Sequence, residues 1–522
     1  MNRVSTATSL ESVTRFLVMG WEIYKKLLRV RAIRQIYVDY GWRRSASPRA
    51  ANRGDMRRGQ ETRRDRASQP ANSPITHENT FATMLELLSS GVLSLWLETL
   101  GVSISREEAI ELLAGPAIPG QVFATIPDPP TERQVQDYLE QLQAKGLLAD
   151  TQGVWVQSSH QLLVNHRGTI PVPAASITKV ATSLAAVLTW GLDHQFKTEI
   201  STTGTLEGGV LQGDLILTNG NDPLFVWSSA IAVGNTLNQM GIRRVTGNLV
   251  IVDNFSMNFV EADPRASGEL LKIALDSSQW TPEAQKAYEK MAPGTAKPQV
   301  AIAGNIVTSN AQLSEQTVLL RHHSLPLAEL LQQMNIYSNN VMAEMLATAL
   351  GGPQTVRQLA AEAAGVPREE IQLINGSGLG HENQISPRAA VSMFMAIQRY
   401  LQPHEMTLAD LFPVSGRDRG TMDYRQIPPG SVVKTGSLWD VSALAGVLPT
   451  RDKGWIWFAI LNRGDYLMGF RDAQDKLLQQ LLQGWQTSLR PPMPPKPWNA
   501  GQVNARPLDA ATRTEIIYKM GG

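Results

Sequence analysis

The chain has 522 residues, too many for one compact core, so two or more domains are expected. Its 43% hydrophobic and 18% charged residues suit an ordinary globular protein, and the absence of cysteine excludes disulfides, a thiol nucleophile and Cys-ligated metals or clusters. The net charge of +1 joins a basic arm to an acidic body: residues 1–83 carry 16 Lys/Arg against 7 Asp/Glu, and the other 439 carry 32 against 40, which is not the footprint of a nucleic-acid binder.

Residues 1–83 read as a basic, disordered arm or a non-native extension, because the stretch from Trp42 to Arg66 has too few apolar residues to offset chain entropy. Phe16 to Val38 has helical apolar spacing, but Glu22, Lys25, Lys26, Arg29, Arg31 and Arg34 interrupt it, so it does not read as a membrane span. A helix lying on a membrane surface is the other reading of 16–38, and 84–100 is a second candidate for membrane association. Met84 opens a sharply more apolar segment and is a candidate true start. Neither Met1 nor Met84 is followed by a basic region, an apolar core and a small-residue cleavage site in that order, so no secretory signal is visible.

Residues 84–150 read as helical, with a start signal at Ser105 and a second helix from Thr131 to Lys145 that enters after Pro129-Pro130 and stops at Gly146. Val154–Gln157 and Gln161–Val164 read as a β-hairpin. Ser176 to Trp190 is predicted as a helix closed by Gly191, apolar almost all round and therefore central, with polar Ser176 and Lys179 in its first turn. Short alternating runs punctuated by glycine then fill 201–320, which reads as an inserted β-rich subdomain. Leu325 to Leu350 is predicted helical, carrying Ser338 and Asn340. Ser431–Lys434, Ala443–Val447 and Trp455–Ile460 read as adjacent strands, followed by a helix from about Phe470 to Leu489 and a Pro-rich flexible tail over 491–522. A catalytic α+β domain is thus expected from 151–200 and 321–490, around the insert.

Three strings carry the chemistry: Ser176-Ile-Thr-Lys179, Ser338-Asn-Asn340 and Lys434-Thr-Gly436. A serine hydroxyl is a poor nucleophile until a neighbour takes its proton. Positions i and i+3 of a helix share a face, so Lys179 is placed beside Ser176. Lys434 is a candidate for a second cation that would help a desolvated Lys179 lose its proton. The Ser176 N–H at a helix start and an N–H from Ser437 are expected to face a developing oxyanion. Gly436, without a Cβ, is expected to let a substrate lie against its strand. Decoys exist. Ser431 and Lys434 repeat the first spacing, but on a strand i and i+3 point to opposite faces; Ser256-Met-Asn258 repeats the second in β-like sequence.

The chain resembles the serine-type D-alanyl-D-alanine carboxypeptidase/endopeptidases, the class C low-molecular-mass penicillin-binding proteins. The resemblance spans roughly 150–490 and rests on Pro173–Lys179, Gly220–Leu224, Tyr337–Glu344, Asn375–Leu379 with Ser386-Pro387, and Lys434–Leu438 with Ala443–Gly446. It implies a transpeptidase/β-lactamase-like domain, an antiparallel sheet flanked by helices with an insertion between the first two motifs. It implies acylation of Ser176 by a peptide ending in D-Ala-D-Ala, release of D-Ala, then hydrolysis. Lys179 would be the base, Ser338 and Asn340 would relay a proton and hold the substrate amide, and Lys434, Thr435 and Ser437 would bind the terminal carboxylate and line the oxyanion hole, with Gly436 beside them. Peptidoglycan stem peptides as substrates, β-lactams as inhibitors and a periplasmic or extracytoplasmic site follow from the same resemblance; no cofactor or metal is called for. Three features depart from it: only 161 residues separate Ser176 from Ser338, Asn375 stands where Asp is usual, and no export signal is evident.

Two rivals compete. A β-lactamase of the class A type needs a carboxylate to activate the deacylating water, and Glu370 is the candidate, one residue out of register with its Asn. A non-catalytic wall-binding protein of the same fold is the other. His322-His323 lacks metal-ligand spacing and reads as surface or core polar residues, Gly376-Ser377-Gly378 as a tight turn with lining of the cleft as its other reading, and Trp455 and Trp457 as core.

Overall fold

The computed structural model describes residues 124–125, 128–485 (except 160, 219, 262, 311–314 and 452) and 510–518. The basic arm, the segment after Met84, the helix predicted at Ile104–Leu113 and most of the Pro-rich tail lie outside the described residues.

Helix α1 (Pro129–Gln143) begins on two prolines, whose fixed φ and missing N–H suit a first turn that has no backbone partner to offer. Its buried Val135, Tyr138, Leu139 and Leu142 recur at three- and four-residue spacing and make one face. Strands β1 (Gln152–Gln157) and β2 (Gln161–His166) form the expected hairpin. A 3₁₀ turn, Ala175–Ile177, then leads into α2 (Thr178–Trp190), buried from Thr178 to Val187 and ended by Gly191 at φ +78°. Ser176 therefore precedes the α-helix proper, a tighter start than the sequence suggested.

The insert holds more helix than its glycine-rich sequence implies. Strands β3 (Lys197–Thr202) and β4 (Leu215–Thr218) are followed by α3 (Trp227–Gln239), β5 (Leu249–Val252), α4 (Pro264–Leu275) and α5 (Pro282–Tyr288). Strands β6 (Ile306–Ser309) and β7 (Thr317–His323) complete it. β4, β5 and β6 run parallel, whereas β3 lies antiparallel between β4 and β7. Parallel neighbours need crossover connections, and α3 and α4 supply them; the small and polar residues of Trp227–Gln239 hide its helical period. Thr205–Glu207, Val210–Gln212, Arg244–Val245 and Ala301–Ile302 make a second, smaller sheet. The first strand of the insert begins at Lys197 and the last ends at His323, a few residues beyond the expected 201–320.

Past the insert, the helix expected over Leu325–Leu350 is two helices, α6 (Leu327–Tyr337) and α7 (Asn340–Ala349). They part at Ser338, which is left-handed at φ +52° and caps α6, and at Asn339, whose side chain accepts from Met342 N at 3.0 Å to cap α7. Helices α8 (Pro353–Ala364) and α9 (Pro387–Leu401) follow, then β8 (Val432–Leu438), β9 (Val441–Pro449), β10 (Trp455–Arg463) and α10 (Leu467–Trp485).

The catalytic sheet has the order Ala124–Thr125, β2, β1, β10, β9, β8; its five long strands are antiparallel, and β8 is an edge. Alternation sends Ala443, Ala445 and Val447 of β9 toward α2 and α9, and Leu444 and Leu448 toward α1 and α10. Trp457 is buried in the first of these layers and Trp455 packs against it, as expected of core residues. Within the tail expected to be flexible, β11 (Thr514–Ile516) pairs antiparallel with β7 of the insert. His322, buried there, meets Thr514 Oγ1 through Nδ1 at 2.7 Å, and Nε2 of His323 lies 3.1 Å from Glu515 Oε1. Among the described residues no helix is long and apolar enough to cross a membrane.

Candidate active site

The three motifs meet where the start of α2, the α6–α7 break and edge strand β8 converge. Ser176 sits on the 3₁₀ turn behind Ala175, a non-glycine residue held at φ +46°, an unfavourable conformation that the surroundings must impose. Two glycines press on this turn. A methyl group on Gly436 would lie 2.8 Å from Ala174 O and 3.0 Å from Ser176 N, and one on Gly378 would lie 1.9 Å from Ala175 O. The missing Cβ of Gly436 therefore admits the serine turn against β8, a close approach that the sequence did not suggest.

Lys179 is fully buried. Its Nζ lies 3.1 Å from Ser176 Oγ and donates to Asn340 Oδ1 at 2.7 Å and to Ser377 O at 2.8 Å. Burial lowers its pKa to about 7, against an opposing pull from the charge of Glu344. At neutral pH a large fraction is thus free amine. Two N–H bonds of that amine are taken by Asn340 and Ser377, and the lone pair is left facing the Ser176 hydroxyl.

Ser338 and Lys434 form the opposite wall. Lys434 Nζ donates to Ser338 Oγ at 3.0 Å and to Thr435 O at 2.8 Å. This lysine is also fully buried, and burial first, then the charge of Lys179, push its pKa well below the ordinary lysine value. The sequence suggested that Lys434 would lower the pKa of Lys179; here it is the charge of Lys179 that bears on Lys434, and Lys179 itself is lowered by burial. Thr435 is nearly buried and Ser437 is exposed at the open edge of β8.

Sequence reasoning missed two participants, Glu344 and Arg471. Glu344, inside the stretch that carried the resemblance, accepts from Gly376 N and Ser377 N at 3.0 Å each and so fixes the carbonyl that binds Lys179. The Gly376–Gly378 turn lines the site through that same Ser377 carbonyl. Arg471, on α10, donates from Nη2 to Ser437 Oγ at 2.8 Å; nothing in the linear spacing signals it. Asn375 has a local reason for replacing Asp. Its Oδ1 accepts from Gly378 N at 2.9 Å while its Nδ2 donates to Leu379 O at 2.6 Å, and a carboxylate has no hydrogen for the second bond.

The competing candidates are tied elsewhere. Both oxygens of buried Glu370 are engaged, by the Arg388 guanidinium and by Ser386 Oγ at 2.5 Å, so it is a structural anchor for the start of α9 and not a free base. Ser431 donates to Pro428 O at 2.6 Å and Ser256 to Val260 O at 2.9 Å.

The chain is similar to several known proteins. The profile of the D-Ala-D-Ala carboxypeptidase 3 (S13) family matches residues 132–263 and 272–487. The carboxypeptidase DacB of Mycolicibacterium smegmatis is 25% identical over 332 residues, 56% of this chain and 72% of that protein. Among solved structures, the penicillin G-acylated predatory endopeptidase of Bdellovibrio bacteriovorus, in complex with an immunity protein, superposes with a TM-score of 0.53 at 24% identity, over 64% of this chain and 90% of that one. Penicillin-binding protein 4 of Haemophilus influenzae superposes with a TM-score of 0.52 at 18% identity, over 68% of this chain and 99% of that one. At these identities the two superpositions speak for the fold.

Proposed function

The chain belongs to the D-Ala-D-Ala carboxypeptidase 3 (S13) family and is a serine-type carboxypeptidase, a hydrolase; from that premise we propose that it cleaves the terminal D-Ala-D-Ala bond of peptidoglycan stem peptides through an acyl-enzyme on Ser176. The observation that carries this reading is the Lys179 amine, dry, with a pKa lowered to about 7, 3.1 Å from the Ser176 hydroxyl.

Ser176 Oγ attacks the carbonyl carbon as its proton passes to Lys179 Nζ. The oxyanion faces the Ser176 and Ser437 N–H groups. Ser338, bonded to Lys434, carries a proton to the departing nitrogen, and D-Ala leaves. Asn340 divides its amide between Lys179 and the substrate, and Lys434, Thr435 and Ser437 attract the terminal carboxylate. Water then attacks the ester by the same path in reverse. Cross-linked peptides place a similar bond in the cleft, so endopeptidase action on them belongs to the proposal. A β-lactam acylates Ser176 and inhibits. Such peptides lie outside the cytoplasm, and the chain is assigned to act there.

Mass spectrometry of the penicillin-treated chain tests the assignment. A single adduct is expected on Ser176, absent in Ser176→Ala; an adduct on another serine overturns it.

A further inference from the structure

Half-buried Glu344 stands on α7 one turn after Asn340, so the two share a side of the helix. Asn340 meets the Lys179 amine directly, accepting from Nζ at 2.7 Å. Glu344 reaches it through the Gly376–Gly378 turn: Oε2 accepts from Gly376 N and Oε1 from Ser377 N, each at 3.0 Å, while Ser377 O accepts from Lys179 Nζ at 2.8 Å. The neighbouring peptide groups of the turn are held as well. Gly376 O accepts from Thr182 Oγ1 at 2.8 Å, and Gly378 N donates to Asn375 Oδ1 at 2.9 Å. A methyl group on Gly376 would lie 2.5 Å from Ala343 O, so the turn is seated hard against the helix that carries the carboxylate. Among the described residues Glu344 has no ion pair. Of the charged groups that bear on the cleft, Lys434 on β8 has the same sign as Lys179 and is bonded to Ser338 and Thr435 O, whereas the charge of Glu344 opposes the effect of burial on Lys179.

We propose that Glu344 is a positioning residue for acylation, aiming the Lys179 lone pair at Ser176 through the Ser377 carbonyl and bringing a negative charge to the ammonium that forms as the serine proton arrives. The proposal rests on the peptidase reading above, in which Lys179 is the base. In that step the Ser176 Oγ–H bond breaks, its proton joins the Nζ lone pair, and Oγ bonds to the carbonyl carbon. A carboxylate serves both ends: its two acceptor oxygens fix two successive N–H groups, and its charge acts strongly on an amine kept dry. An amide of the same length keeps one acceptor, turns its own N–H bonds against the other donor and carries no charge.

The full chain is acylated with penicillin over a pH range spanning the Lys179 midpoint of about 7, and the second-order rate is read as a profile. Glu344→Gln is expected to lower the plateau about tenfold and to move the midpoint down by about one pH unit, because the free amine then forms at lower pH. Its defect is therefore smaller in acid than on the plateau. Glu344→Asp keeps the charge but is one methylene too short to hold both N–H groups; it is expected to return the midpoint to the wild-type value while the plateau stays low. A plateau loss in Glu344→Gln with the midpoint unmoved marks a merely structural clamp and overturns the proposal, as does an unchanged profile. Circular dichroism checks the fold. Should Glu344→Gln not fold, Glu344→Asp decides, and a wild-type plateau in that variant overturns the proposal. A wild-type profile with no midpoint near 7 sinks Lys179 as the base and this proposal with it; a wild-type midpoint there that Glu344→Gln leaves in place sinks only the proposal.

Discussion

The sheet of the insert closes on Ile200, Leu215, Leu217, Leu249, Ile251 and Leu271, apolar side chains contributed by strands and helices alike. The cleft of the catalytic half instead buries two lysines completely. Apolar burial there comes from a separate layer, where α2, α6 and α9 pack around Val180, Leu184, Leu331 and Phe394. One region is built for stability. The other uses stability from its surroundings to keep unfavourable groups in contact. Substitutions in the cleft should therefore change chemistry far more than folding, and those in the insert the reverse.

The sharpest way to break this contrast is Lys179→Met, which keeps length and removes the base. Acylation by penicillin should slow by about 10³-fold with the chain still folded, measured by labelling kinetics beside circular dichroism. If labelling survives unchanged, the base lies elsewhere. Next comes Gly436→Ala. The new methyl meets backbone 2.8 Å away, so the serine turn must move, and acylation should fall about 10²-fold, with the acyl-enzyme visible only on long incubation. A mild loss would mean the turn is softer than its packing implies. Ile251→Ala, in the insert core, gives the smallest effect on chemistry. It should cost about 3 kcal/mol in denaturant unfolding, while the acylation rate of the folded chain changes by less than about threefold. A large rate loss from this remote cavity would show that the two regions are coupled.

The motif residues were legible because their chemistry depends on residue type and short spacing. Ser176 and Lys179 meet through one helical turn, and Lys434 could be separated from the decoy Ser431 because a strand splits them. The fold of the catalytic half was legible for a related reason: its strands alternate cleanly and its helices are strongly periodic. The break at Ser338 was not legible, since the apolar period runs through Leu327–Ala349 and only tertiary contacts select a left-handed serine there. The insert misled because Gly, Asn and Ser in α3 weaken the helical signal, leaving the parallel crossovers hidden. Arg471 and Glu344 act across 34 and 32 positions, at Ser437 and at Gly376, and such distances carry no local mark. At Gly436 the approach of the serine turn was not legible, because a missing Cβ says that something comes close, not what.

The account turns on a neutral Lys179 taking the Ser176 proton, and the pH dependence of the second-order rate of acylation by penicillin tests it most directly. The free amine gains population as pH rises, so the rate should climb tenfold per pH unit below a midpoint of about 7 and level off above it. A profile that is flat through that region, or one that rises only near the ordinary lysine value of 10.5, would contradict it.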